Sequence, residues 1–158
     1  MARRTKQQIE DEKRLILENK KTALAEVNKH LNYAAQLSEE DVKKIGGFLY
    51  LFLQCEMVYK TLYPEMKRIQ EKQDIDVRQL KFNIQKLEAA LRAFGISYDH
   101  EKIKIMFSAN KSYLIYRNEI MHGFKENSVN AVIANYDEIE STLKEFLVNV
   151  GSGDPALS

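Results

Sequence analysis

SEEDVKKIGGFLYLFLQCEMVYKTL, Ser38 to Leu62, is markedly apolar, and how it is read decides the fold. Ile45, Phe48, Leu51, Phe52, Val58 and Leu62 recur at helical rather than alternating spacing. Ser38 followed by Glu39, Glu40 and Asp41 has the form of an N-cap with acids in the first turn. The stretch is too long for one strand, so it predicts the central helix of a bundle, closed near Leu62 by Pro64 or followed there by a short new helix. Gly46 and Gly47 inside it cost roughly 1 kcal/mol each relative to alanine, which predicts a kink or a close crossing by another helix. They do not form a phosphate-cradling loop, because no Gly-rich spacing and no following Lys-Ser/Thr pair accompany them.

Upstream, Leu17, Leu24 and Leu31 recur every seven residues between about Lys6 and Gln36. One stripe of this predicted helix faces a partner, and its other faces are charged. The basic start, with Arg3, Arg4 and Lys6, is expected to be a solvated terminus rather than an RNA contact. Downstream, EMKRIQEKQ (65–73) reads as an exposed polar connector. Asp76 with Gln79 resembles a capping box opening a third helix that carries Leu80, Ile84, Leu87, Leu91 and Phe94, and Gly95 with Ile96 closes it. Asp99 caps a segment bearing Ile103, Met106 and Phe107, which either breaks near Asn110 or runs on. Ser128 is expected to cap a last helix with Val132, Ile139, Leu143 and Phe146 on its apolar face. GSGDPALS (151–158) reads as a flexible tail.

No segment alternates with period two between turn dipeptides, so no sheet is expected. The predicted class is all-α: an up-and-down bundle of four to five helices in one domain over residues 1–150. A length of 158 residues, 44% hydrophobic and 30% charged, suits a single core. The net charge of +1 excludes a general basic field for nucleic acid, so any RNA contact is local. The single Cys55 forms no intrachain disulfide and lies in an apolar helix as a small hydrophobe. With no apolar signal core in the first residues and no long apolar run, a cytoplasmic location without membrane contact is expected.

The chemistry-bearing stretch is YRNEIMHGF, Tyr116 to Phe124. Asn118 and His122 are four apart and share a helix face. Arg117 diverges from His122 by about 140° on a straight helix. Gly123 is expected to take the left-handed conformation that ends the helix, leaving His122 in a loose last turn within reach of the arginine side chain. Arginine offers a permanent planar cation for phosphate oxygens, and the unperturbed pKa of histidine, about 6.5, suits proton transfer near neutrality.

An arginine, a polar residue and a histidine five positions after the arginine, at a helix end of a small all-helical chain, resemble the HEPN superfamily. The likeness rests on Arg117 to His122 and on helical layout and length. It implies a homodimer in which the motifs of two subunits line one cleft, and metal-independent RNA cleavage by attack of the 2′-hydroxyl on the adjacent phosphate. On this sequence His122 would be the general acid or base, Arg117 the stabiliser of phosphate charge, and Asn118 the polar partner. The likeness also implies a toxin-antitoxin or phage-defence setting with a neutralising antitoxin protein. Some toxin members carry a tyrosine two positions past the histidine; here that position is Phe124.

Lys111, Tyr113 and Lys125 are the candidate RNA contacts, with Tyr113 and Tyr116 either stacking on bases or belonging to the core. His30 and His100 read as surface histidines. Three dispersed histidines lack metal-ligand spacing, so neither a metal nor another cofactor is expected. Against catalysis stands a structural use of the motif, in which Arg117 and His122 make helix-end salt bridges with Glu119 or Glu126. Two functions are therefore open: a metal-independent endoribonuclease, or a non-catalytic helical module that binds a protein partner or a nucleotide.

Overall fold

The computed structural model describes residues 2–157, which form seven α-helices and two 3₁₀ turns with no strand among the described residues. The all-helical class is thus as expected. The chain divides into two compact units, Met1–Ser38 and Glu39–Ser158.

The first unit is one helix, α1 (Lys6–Ala35). Thr5 and Gln8 form a capping box: the Thr5 hydroxyl accepts from the Gln8 N–H at 3.1 Å, and the Gln8 side chain accepts from the Thr5 N–H at 2.8 Å. Its surface pairs, such as His30 with Glu26 at 3.4 Å, are exposed and add little stability. No residue of α1 is buried.

The second unit is built on α2 (Glu39–Glu71), against which α3 (Ile84–Ala93), α5 (Tyr113–Gly123), α6 (Glu126–Ala134) and α7 (Tyr136–Gly151) all pack. Phe48, Phe52, Cys55 and Tyr59 lie at intervals of three or four and are fully buried, which defines the inward face of α2. α4 (His100–Phe107) adds Ile103, Met106 and Phe107 to the same core. Phe107 stacks on Phe82 with centroids 4.1 Å apart, and Phe82 meets Tyr59 at 4.6 Å. The Tyr59 hydroxyl donates to the Lys81 carbonyl at 2.9 Å, tying the segment between α2 and α3 to the core. Burial pushes the Cys55 thiol and the Tyr59 hydroxyl each up to about 12.

Several local expectations are corrected. Pro64 neither ends α2 nor starts a new helix; it lies inside α2, which runs on to Glu71 because Tyr63 and Met66 are still core residues. The supposed connector is therefore largely the last two turns of α2. Asp76 caps only the 3₁₀ turn Val77–Gln79, and α3 begins later, where the Asn83 side chain accepts from the Lys86 N–H at 3.0 Å. Ser128 lies within α6 rather than capping the last helix, which is broken into α6 and α7 at Asn135. Gly47 is the close crossing: a methyl group there would collide with the Tyr136 hydroxyl of α7, whereas Gly46 faces open space.

Other expectations match. Gly95 has φ +63° and closes α3, with the Ile96 N–H donating to Leu91 at 2.9 Å and the Gly95 N–H to Arg92 at 3.1 Å. Asp99 caps α4 by accepting from the Glu101 N–H at 2.9 Å, and the chain does break between Phe107 and Tyr113. Of the terminal segment read as flexible, Asp154 donates its N–H to the Gly95 carbonyl at 3.1 Å, and Pro155–Leu157 form a 3₁₀ turn. No described helix is long and apolar enough to cross a membrane.

Candidate functional site

α5 carries the whole Arg117–Asn118–His122 group. Ser112 starts the helix as N-cap, and its hydroxyl also donates to the Ser108 carbonyl at 2.6 Å. The end differs from expectation. Gly123 is still helical, and Phe124 takes the left-handed conformation at φ 46°, ψ 46°. The cause is the closing hydrogen-bond pattern: the Phe124 N–H donates to Ile120 at 3.0 Å and the Lys125 N–H to Glu119 at 3.3 Å, which requires positive φ at Phe124. His122 nevertheless sits in the last turn. It is exposed, and it makes no hydrogen bond or ion pair among the described residues.

Arg117 is held inward. Its Nη2 donates to Glu56 Oε2 of α2 at 3.3 Å, and its Nη1 donates to the Asn118 amide oxygen at 3.0 Å. The side chains of Arg117 and Glu56 are 20% and 10% exposed. Arg117 Nε is buried without a hydrogen-bond partner, so its N–H is a buried donor left unused. The helix-end partners expected under the structural use of the motif are not the ones found. Glu119 instead accepts from the Ser128 hydroxyl at 2.6 Å, fastening α5 to α6, and Arg117 turns to Glu56.

Glu56 is the functional-site residue that sequence reasoning missed. It lies one position after Cys55 and four after Phe52, in the most apolar part of α2, and is 7% exposed. A lone carboxylate on a core-facing helix flank needs a compensating cation, and that isolation was the available signal.

The three candidate RNA contacts separate. Lys111 is exposed in the loop before α5, with φ 49°, and Lys125 is exposed at the junction of α5 and α6. Tyr113 belongs to the core: it is 7% exposed, burial raises its hydroxyl pKa, and its ring stacks on Tyr116 with centroids 6.3 Å apart. No open face of Tyr113 is left for a base. His100, taken from the sequence as a plain surface residue, fastens α4 to α3: its Nδ1 lies 2.9 Å from both carboxylate oxygens of buried Glu88.

The structure does not bring the two groups together: His122 faces solvent five residues along α5, about 140° around the helix, from an Arg117 cation turned inward to the buried Glu56 carboxylate. A solvent-facing imidazole of this kind is able to exchange protons and to present positive charge to an anion. No family model matches the chain, and no curated protein or solved structure matches it.

Proposed function

We propose that the chain is a metal-independent endoribonuclease of HEPN type, acting as a homodimer whose two α5 helices face one RNA strand. The observation that carries the proposal is the division of labour on α5: His122 is exposed and unpartnered, while Arg117 is anchored by Glu56 and Asn118. In the reaction the 2′-oxygen forms a bond to phosphorus as its proton passes to one imidazole. The P–O5′ bond breaks, and the departing 5′-oxygen takes a proton from the other imidazole. Arg117 balances the charge that builds on the non-bridging oxygens. Lys111 and Lys125 contact the backbone on either side, and a toxin-like setting with a neutralising protein follows from such an activity.

His122→Ala tests this directly. The variant should lose RNA cleavage in chelating buffer by at least about 100-fold, the low end of what a general acid or base contributes, with its melting temperature unchanged. Cleavage at the parent rate would remove His122 from the chemistry and the proposal with it.

One observation favours the alternative. The cation of the motif is already neutralised by Glu56, as it would be in a non-catalytic helical module that uses Arg117 to join α5 to α2 and binds a protein partner or a nucleotide. That alternative predicts no cleavage by the parent at any concentration.

A further inference from the structure

An arginine is held most firmly by a carboxylate when two of its N–H groups reach the two oxygens in parallel, at about 2.7–2.9 Å. Arg117 is held less firmly than that. Nη2 reaches Glu56 Oε2 at the longer distance of 3.3 Å, and Nη1 is spent on the Asn118 amide oxygen at 3.0 Å. Nε, the third nitrogen of the group, is buried with no partner, and no other buried side-chain nitrogen or oxygen among the described residues is left so. A buried donor without an acceptor is a standing cost that a better acceptor removes.

The guanidinium also points the wrong way for catalysis. It faces Glu56 on α2, whereas His122 lies about 140° around α5 and faces solvent, so in this arrangement the two do not meet on one phosphate. A way out is open. The Arg117 side chain is 20% exposed and that of Glu56 10%, so the cation borders water while the carboxylate lies deeper. A phosphodiester carries two non-bridging oxygens, which accept from Nε and one Nη together. It gives the guanidinium what Glu56 does not, a bidentate partner that also uses Nε.

We propose that Glu56 is a latch on Arg117: the pair in this structure is the resting state, and an RNA phosphodiester draws the guanidinium off Glu56 and outward to the His122 side of α5. This rests on the nuclease reading of α5 and adds the regulation of that site. Release leaves a buried carboxylate without its cation, and that opposition keeps the resting state populated when RNA is absent. Glu56 acts only through Arg117 and touches no substrate. A site that is competent in a minority of chains binds with its affinity reduced by that fraction, so the latch shows in KM rather than in kcat.

Glu56→Gln tests this, because an amide of the same shape needs no cation. On single-stranded RNA in excess chelator, its KM should be about tenfold below that of the parent, with kcat unchanged. A variant that merely lost stability would not gain affinity. A second measurement needs no substitution and decides the matter if Glu56→Gln loses structure. A saturating 2′-deoxy oligonucleotide, which lacks the attacking hydroxyl, should move the Arg117 Nε–H proton resonance of the parent downfield as that proton gains a phosphate acceptor. If the parent cuts RNA while Glu56→Gln has an equal or higher KM or a lower kcat, the latch is overturned and the nuclease reading stands. An Nε–H resonance that stays in place in the saturated complex overturns the latch in the same way. RNA left intact by both proteins removes the nuclease reading, and the latch with it.

Discussion

At Arg117 the stabilising and the functional roles of one side chain diverge in a way that mutation can separate. Removing the guanidinium leaves Glu56, only 7% exposed, without its cation. Arg117→Ala should therefore cost about 2 kcal/mol of stability, reduced from the full buried-pair penalty by partial solvent access. Glu56→Gln in the same background should return part of that loss, since a neutral amide is cheaper to bury than an unpaired carboxylate. Thermal melts of the two variants check this; equal melting of Arg117→Ala and parent would mean the ion pair contributes nothing. His122→Ala, at an exposed side chain, should leave the melt unchanged. Of this residue-level picture the residue types were legible beforehand, but not their contacts. Arg117, Asn118 and His122 stood out as chemistry-bearing types at short spacing. Glu56 did not, because its partner lies 61 positions away in sequence, and no local pattern reports such a contact.

At the scale of elements, the crossing of α2 and α7 depends on a missing methyl group. Gly47→Ala gains about 1 kcal/mol of helix propensity but drives a Cβ into the Tyr136 hydroxyl. The overpacking should win, leaving a net loss of about 1 kcal/mol. Tyr136→Phe removes the offending oxygen, so Gly47→Ala introduced into that background should lose less than half as much. Denaturant unfolding of the four proteins measures the coupling; an identical penalty in both backgrounds would show that Tyr136 is not the obstacle. Helix starts were readable where the capping side chain does cap, at Asp99, and misread at Asp76, which caps only a 3₁₀ turn, and at Ser128, which lies inside α6. Asp99 caps α4 as expected, and α1 spans nearly its expected range, because capping side chains and apolar period are local properties. Helix ends were less readable. Gly95 announces its left-handed turn, but α2 and α5 are followed by positive φ at Lys72 and Phe124, residues that carry no such signal. Pro64 misled for the opposite reason. Its missing N–H is tolerated in α2 because packing at Tyr63 and Met66 outweighs one lost hydrogen bond.

Across the second unit the core sets an alkaline limit. Cys55 and Tyr59 sit at the centre of α2, and burial raises their pKa values from 9.0 and 10.0 to about 12. Both groups stay neutral in the folded chain while they ionise in the unfolded one. Their stabilisation is therefore fully present below pH 9.0 and is lost as pH rises toward 12. Denaturant unfolding below pH 9.0 and again at about pH 11 should show falling stability, more steeply than in Tyr59→Phe. Stability that holds or increases over that interval would contradict the burial of these groups. The all-helical class followed from periodicity alone, whereas the division at Ser38 did not. A seven-residue repeat shows that a helix needs a partner, but not whether that partner lies in the same chain.

The proposed chemistry is tested most directly by the ends of the RNA it leaves. Incubated with single-stranded RNA in excess chelator, the parent chain should release fragments ending in a 2′,3′-cyclic phosphate, and the His122→Ala chain should release none. Intact RNA in both reactions, or parent fragments ending in a 3′-hydroxyl, would contradict a metal-independent site built on Arg117 and His122.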